Sequence, residues 1–159
     1  MTTKHKDLSY FNKNEIPNAK GLRFGIVVSK WNEEITNKLY QGAHDTLIEC
    51  GVLTVDIIKY EVPGSFEIVF AAKKIAEKNL DAVICLGSII KGETKHFDFI
   101  SQAVTNGIKD LNILLDIPVI LGVLTDDNYQ QSLDRSGGKY GNKGIEAAVT
   151  AITMANLDR

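Results

Sequence analysis

The chain of 159 residues has little cysteine, almost no excess charge and no long apolar run. Its two cysteines, Cys50 and Cys85, cannot build a disulfide framework and lack metal-ligand spacing, so both are expected as buried or half-buried thiols. With 18 Lys plus Arg against 20 Asp plus Glu, the formal net charge is -2, and no bulk field draws the chain to nucleic acid or to an anionic membrane. The longest clearly apolar run, Ile117 to Leu124, falls far short of the roughly 18 residues that suggest a membrane span. The polar leader mixes Lys4, Lys6, Asp7, Asn12, Lys13, Asn14 and Glu15 without an apolar stretch of signal type, and a cytoplasmic address is expected. Several familiar signatures are missing too. No G-x-G-x-x-G follows the first strand pattern and no G-x-x-x-x-G-K-[ST] occurs, which argues against dinucleotide and P-loop folds. Strand one ends in Ser29 rather than an acidic pair, against a phospho-receiver domain, and no G-x-S-x-G elbow points to hydrolase chemistry.

What is present is 44% hydrophobic residues, enough for one buried core at this length, arranged as short β-branched runs alternating with helical stretches. A polar arm is expected over residues 1–20 and a single domain over 21–159. Strands are expected at Leu22 to Ser29, Thr54 to Glu61, Asp81 to Ser88 and Val119 to Leu124. Helices are expected at about Asn32 to Cys50, from near Ser65 to Asn79, His96 to Leu115, Asp127 to Arg135 and Asn142 to Ala155. In the first of these, Ile35, Leu39, Ala43 and Leu47 form one apolar stripe and Gly51 supplies the stop. The fold class is α/β: a three-layer αβα sandwich around a four-stranded parallel sheet. The strand order is not legible from one sequence, and a flavodoxin-like order is preferred among doubly wound topologies.

In open α/β sheets, ligands bind beyond the carboxyl ends of the strands, and the unusual residues cluster there. Lys91-Gly92-Glu93-Thr94-Lys95 opens a helix whose free N–H groups and dipole favour an anion such as phosphate, although the same residues also read as a cap with solvated lysines. His96, on the first turn, is near enough to that anion site to move protons. His5 and His44 have no such setting and read as surface histidines. Pro63-Gly64-Ser65-Phe66-Glu67 places a turn, a hydroxyl and a carboxylate at a strand end; Ser65 reads either as a ligand contact or as a helix cap. Trp31 suits stacking on a heteroaromatic ligand or packing in the core. Arg135 and Lys143 flank a glycine-rich turn as ligand-binding or merely solvated cations, with Asn142 as a helix cap.

Taken together, Val27-Val28-Ser29-Lys30-Trp31-Asn32, Val62 to Ile68, Leu86-Gly87-Ser88 through Gly92 to Asp98, and Gly141-Asn142-Lys143-Gly144 with Met154 to Leu157 resemble the 6,7-dimethyl-8-ribityllumazine synthase family over about Gly21 to Leu157. The resemblance implies a transferase of riboflavin biosynthesis. It condenses 5-amino-6-(D-ribitylamino)uracil with 3,4-dihydroxy-2-butanone 4-phosphate, giving the lumazine, phosphate and water, with no metal or organic cofactor. It implies that Trp31 stacks on the pyrimidine, that Ser65, Phe66, Glu67, Ser88, Ile89 and Ile90 contact the pyrimidine and ribityl chain, and that Glu93 and Thr94 hold the butanone phosphate. His96 matches the proton donor. Leu121, Arg135 and Lys143 would come from a neighbouring subunit, Arg135 to the phosphate and Leu121 to the ring. Homopentamers or icosahedral shells of twelve pentamers are implied, with the arm adding an edge strand to a neighbour and riboflavin synthase as a candidate partner.

Four positions depart from the common pattern of the family. Phenylalanine is usual at Trp31, an aromatic is frequent at Leu121, proline is common at Val69, and a small residue is usual at Glu93. The Glu93 side chain is expected to point away from the phosphate. A reading of another class is a non-catalytic flavin or lumazine carrier on the same scaffold, for which His96 and Arg135 would have no use.

Overall fold

The computed structural model describes residues 7–157; the first six residues, His5 among them, lie outside that range. Four parallel strands run β1 (Phe24–Ser29), β2 (Ile57–Val62), β3 (Ala82–Ile90) and β4 (Val119–Asp126), in the spatial order β2-β1-β3-β4. Helices α1 (Glu33–Glu49), α2 (Ile68–Ala76) and α3 (His96–Leu114) follow the first three strands. After β4 come α4 (Tyr129–Arg135), a two-stranded hairpin of β5 (Ser136–Gly138) and β6 (Gly141–Asn142), and α5 (Lys143–Ala155). The expected flavodoxin-like sandwich is therefore present, with four parallel strands and helices on both faces.

Every residue of β1 is buried, as are the first eight of β3, because helices cover both faces of these central strands. Alternate residues feed two separate cores. Phe24, Ile26, Ile84 and Leu86 pack with Ile35, Leu39, Leu47 and Ile152 of α1 and α5. Val27, Val83 and Cys85 pack with Ile68, Ile75, Val104 and Ile108 of α2 and α3. Each fully buried large aliphatic side chain is worth about 1.5–3 kcal/mol, so this division holds the strand ends in place. Cys85 is wholly buried, which pushes its thiol far above the ordinary range, and Cys50 is half-buried, as expected of both.

Local chemistry moves several boundaries. The first strand begins at Phe24 rather than Leu22, because Arg23 donates its N–H to Asp81 Oδ2 (2.7 Å) instead of to a ladder partner. Thr54–Asp56 forms a short 3-10 turn with Val55 turned to solvent, so β2 starts at Ile57. Strands β3 and β4 each run two residues further than their patterns suggest, through the pairs Ile89↔Thr125 and Ile90↔Asp126. Helix α2 begins at Ile68, whose N–H donates to the Ser65 carbonyl (3.3 Å). Helix α4 begins at Tyr129, after Asn128 accepts the Gln131 N–H (3.1 Å). The glycine-rich turn closes as the β5–β6 hairpin, which no periodicity announces.

Asn142 does cap α5, accepting the Gly144 N–H (2.8 Å), while its amide donates to the Lys38 carbonyl (2.8 Å) of α1. At Gly144 the helices touch so closely that an added Cβ would overlap the Leu39 carbonyl. Val69 sits against Gly107 of α3, where an added Cβ would meet it at 2.7 Å. The described part of the arm lies on its own chain: Leu8 donates to the Tyr140 carbonyl (2.8 Å), and Ser9 Oγ accepts the Asn142 N–H (2.9 Å). No helix among the described residues is long and apolar enough to cross a membrane.

Overpacking costs about 1–3 kcal/mol in a close-packed interface, and backbone cannot yield as a flexible side chain can. Gly144→Ala is therefore expected to lower the unfolding free energy by about 1–3 kcal/mol, read as a lower urea midpoint with an unchanged slope. An unchanged midpoint would show that α1 and α5 part without cost.

Candidate active site

Chain order and spatial order part company between β1 and β3. The chain leaves β1 toward β2 on one side and returns to β3 on the other, so the loops after β1 and β3 diverge and open a crevice. A cavity of about 620 Å³ lies there, walled by Trp31, the turn from Pro63 to Glu67, Ser88 to Ile90, Gly92, Thr94, His96, Phe97 and Ile100. That volume suits a small-molecule ligand.

Each wall has a local cause. Lys30 and Trp31 donate to the carbonyls of Val62 (2.8 Å) and Pro63 (3.1 Å), which stitches the end of β1 to the end of β2. Asn32 then adopts a left-handed conformation (φ 61°) and donates Nδ2 to the Ser88 carbonyl (3.0 Å), bracing the loop against β3. Trp31 consequently stands 72% exposed at the cavity mouth, which removes the core-packing alternative. Phe66 flanks the cavity, also largely exposed. Glu67 Oε2 accepts the Gly64 N–H (3.0 Å), closing the turn on itself.

Ser65 is not a helix cap. Its carbonyl takes the Ile68 N–H, while its hydroxyl is buried with no partner among the described residues, as is the hydroxyl of Ser29. Gly87 lies between them: a Cβ there would meet Ser65 Oγ at 2.7 Å and Ser29 Oγ at 3.4 Å. Bare backbone on β3 thus makes room for two hydroxyls at the carboxyl end of the sheet. A buried hydroxyl without a partner costs stability, and such groups mark places where a structure awaits something polar.

On the opposite wall α3 begins at His96, preceded by Lys95 without a side-chain cap. Thr94 Oγ1 accepts the His96 N–H (3.3 Å), so the capping alternative holds in part. The Asp98 and Phe99 N–H groups donate to the Lys95 carbonyl (3.1 and 3.3 Å), so the positive end of the α3 dipole is what suits an anion here. Lys91 reaches the other way, to Asp127 Oδ1 (3.8 Å), and does not join the cavity. His96 is exposed, and Phe97 and Ile100 extend the wall along α3. Those last two escaped the sequence reading, although both lie within one helical turn of His96.

Four residues expected at the site do not line this cavity. The Glu93 side chain is exposed and off the wall. Leu121 lies on edge strand β4, 40% exposed. Lys143 Nζ pairs with Glu146 Oε1 (2.6 Å). Arg135 Nη1 donates to the Gln131 carbonyl (3.1 Å), lies 3.6 Å from Asp126 Oδ1, and has its guanidinium carbon 5.2 Å from the Tyr140 ring centre.

A doubly wound α/β domain with an aromatic ring, an unpaired hydroxyl, a histidine and a helix N-terminus around one crevice is a small-molecule enzyme of the flavodoxin-like class. The sequence profile of the 6,7-dimethyl-8-ribityllumazine synthase family matches residues 21–159, and the chain belongs to that family. Proteins named 6,7-dimethyl-8-ribityllumazine synthase are similar over nearly its full length. That of Flavobacterium johnsoniae is 60% identical, covering 99% of this chain and 83% of its own. That of Christiangramia forsetii is 58% identical (99% and 95%), and that of Porphyromonas gingivalis 49% (100% and 99%). These names are those of an enzyme, and nothing in them supports a non-catalytic carrier.

Replacing an unpaired buried hydroxyl by hydrogen relieves a desolvation penalty of about 1 kcal/mol or more. Ser65→Ala is accordingly expected to raise the melting temperature of the ligand-free protein by about 2–4 °C, and at the same time to weaken ligand binding. A lower melting temperature would show that the hydroxyl is already satisfied.

Proposed function

We propose that this cavity is where 5-amino-6-(D-ribitylamino)uracil and 3,4-dihydroxy-2-butanone 4-phosphate condense to 6,7-dimethyl-8-ribityllumazine, in the penultimate step of riboflavin biosynthesis. The observation that carries this reading is the convergence of Trp31, the unpaired Ser65 hydroxyl, Thr94 and His96 on one cavity, in a chain of this family.

The substrate supplies its own nucleophile. Its 5-amino group attacks the butanone carbonyl and loses water to form an imine; phosphate then leaves, and the ribityl-bearing nitrogen closes the ring with loss of a second water. Those steps need orientation, proton transfer and stabilisation of a departing anion rather than a strong enzymic nucleophile. Trp31 stacks on the pyrimidine. Ser65 and Glu67, with the polar backbone of Ser88 to Ile90, hold the pyrimidine and the ribityl hydroxyls, and Phe66 packs beside them. His96 moves protons. Thr94 and the start of α3, with the backbone of Glu93, bind the phosphate.

Arg135, Lys143 and Leu121 complete the site from an adjacent copy of the chain, Arg135 on the phosphate and Leu121 against the ring. Two features support a composite site: these residues lie off the chain's own cavity, and Phe70, Phe99, Ile113 and Leu114 leave α2 and α3 with large exposed apolar side chains. The assembly is a homopentamer or a shell of twelve pentamers in the cytoplasm, with riboflavin synthase as a partner that would consume the product. The arm would add an edge strand to a neighbour, and Tyr10 on it is 76% exposed.

Mixing the purified chain with both substrates is expected to give lumazine absorbance and phosphate release in equal amounts, above the spontaneous rate; no acceleration by a folded oligomer would overturn the assignment. Arg135→Ala is expected to raise the KM for the butanone phosphate by about ten- to a hundredfold, as for loss of a charged hydrogen bond, with little change for the pyrimidine. Equal losses for both substrates would contradict the role of Arg135.

A further inference from the structure

Asp126 is a buried carboxylate at the end of β4, its side chain only 7% exposed, and none of the steps above uses it. It accepts a hydrogen bond from Ser132 Oγ (2.7 Å), one turn before Arg135 on α4. The Ser132 hydroxyl lies 3.4 Å from that of Ser88, on the strand end that walls the cavity. The other Asp126 oxygen faces the Arg135 guanidinium at 3.6 Å. Arg135 is thus fixed on three sides: by the carboxylate, by the Gln131 carbonyl and by the Tyr140 ring. Tyr140 is itself tied to α4 through its N–H, which donates to the Asp134 carbonyl (2.8 Å). Among the described residues no other group hydrogen-bonds the guanidinium, so its remaining N–H donors stay available.

We infer that Asp126 is a positioning residue, which with Ser132 sets the guanidinium of Arg135 in the orientation that receives the phosphate of the butanone substrate. This rests on the reading of Arg135 as the phosphate ligand. A free arginine side chain loses rotational freedom when it binds an anion, whereas one already held by a carboxylate and a ring meets the phosphate with less to lose. The contact at 3.6 Å leaves the guanidinium close to Asp126 but without a short bond that would compete with a phosphate.

The charge at Asp126 works against stability. Burial pushes its carboxyl above the ordinary range; the Ser132 hydrogen bond and the Arg135 charge oppose that shift, and adjacent Asp127 adds to it. Asp127 is in turn faced by Lys91. In the unfolded chain the group titrates at an ordinary value. Stability from the protonated form is therefore fully present below that value and is lost as pH rises through the raised one. Asparagine at 126 is nearly isosteric, can still accept the Ser132 bond and carries no such penalty.

The test is the KM of each substrate and the melting temperature at neutral pH for Asp126→Asn, Ser132→Ala, Arg135→Ala and the Asp126→Asn/Arg135→Ala double variant. Asp126→Asn is expected to melt no lower than the parent protein, yet to show a KM for the butanone phosphate raised about tenfold, as when a charged contact is lost, and an unchanged KM for the pyrimidine. Ser132→Ala should move the same KM in the same direction by less. In the double variant the two effects should not add, because the carboxylate acts only through the guanidinium. An unaltered butanone phosphate KM in Arg135→Ala would overturn the reading of Arg135 itself. A raised KM there beside a parental KM in Asp126→Asn, or additive losses in the double variant, would overturn the positioning role alone.

Discussion

The burial of β1 and β3 on both faces is the constraint on which the rest of the molecule depends. Two strands whose side chains are almost all committed to packing leave no room for polar chemistry along their length. Function is displaced to their carboxyl ends, where Ser29, Ser88 and the loops beyond them are the first polar groups. Because β1 sits between β2 and β3, those loops diverge, and the crevice between them is a consequence of strand order rather than a separate invention. The same packing fixes the crevice walls: the hydrogen bonds of Lys30 and Trp31 to the end of β2, and of Asn32 to the end of β3, transmit the rigidity of the sheet to the aromatic ring.

Around that crevice, polar groups are held in arrangements that do not favour the ligand-free chain. Ser29 and Ser65 bury hydroxyls without partners, and Asp126 buries a carboxylate whose ionisation is disfavoured. Thr36 and Ser101 on the helices also bury hydroxyls without partners among the described residues, whereas Asn142 satisfies a helix start, a neighbouring helix and the β5 carbonyl at once. An unpaired hydroxyl at the cavity wall, such as that of Ser65, is what a site shaped for a polar ligand can use. In the proposed reaction the chemistry asks the enzyme for orientation and charge placement, the roles proposed for Trp31, Ser65, His96 and the start of α3.

Much of this was legible in the sequence because the determinants are local. Ile35, Leu39, Ala43 and Leu47 announce a helix face, and the apolar run of β3 announces a strand covered on both sides. The residues at Trp31, Ser65 to Glu67, Ser88 to Ile90, Thr94 and His96 were found together because a parallel sheet sends all its strand ends the same way. What was not legible depends on contacts distant in sequence. The start of β1 depends on Asp81, and the extension of β3 and β4 on each other. The β5–β6 hairpin rests on positive-φ glycines, Gly137 and Gly141. Ser65 read equally well as a cap, and only the closeness of Gly87 and Ser29 shows it to be an unpaired hydroxyl. Asp126 lies in a strand-end segment, Leu124 to Asp127, that the sequence marks for ligand chemistry, but its role was not legible, since a carboxylate there reads as solvated until Ser132 and Arg135 fold over it.

In the proposed composite site, one chain's cavity is completed by Arg135 of the next. His96→Ala carries an intact Arg135 and Arg135→Ala an intact cavity, so the two can be unfolded, mixed and refolded together, with co-assembly checked by a tag on one variant. Lumazine formation by the mixed oligomer well above that of either variant alone is the expected result. Co-assembled oligomers no more active than the separate variants would show that His96 and Arg135 act within one chain or not in this reaction.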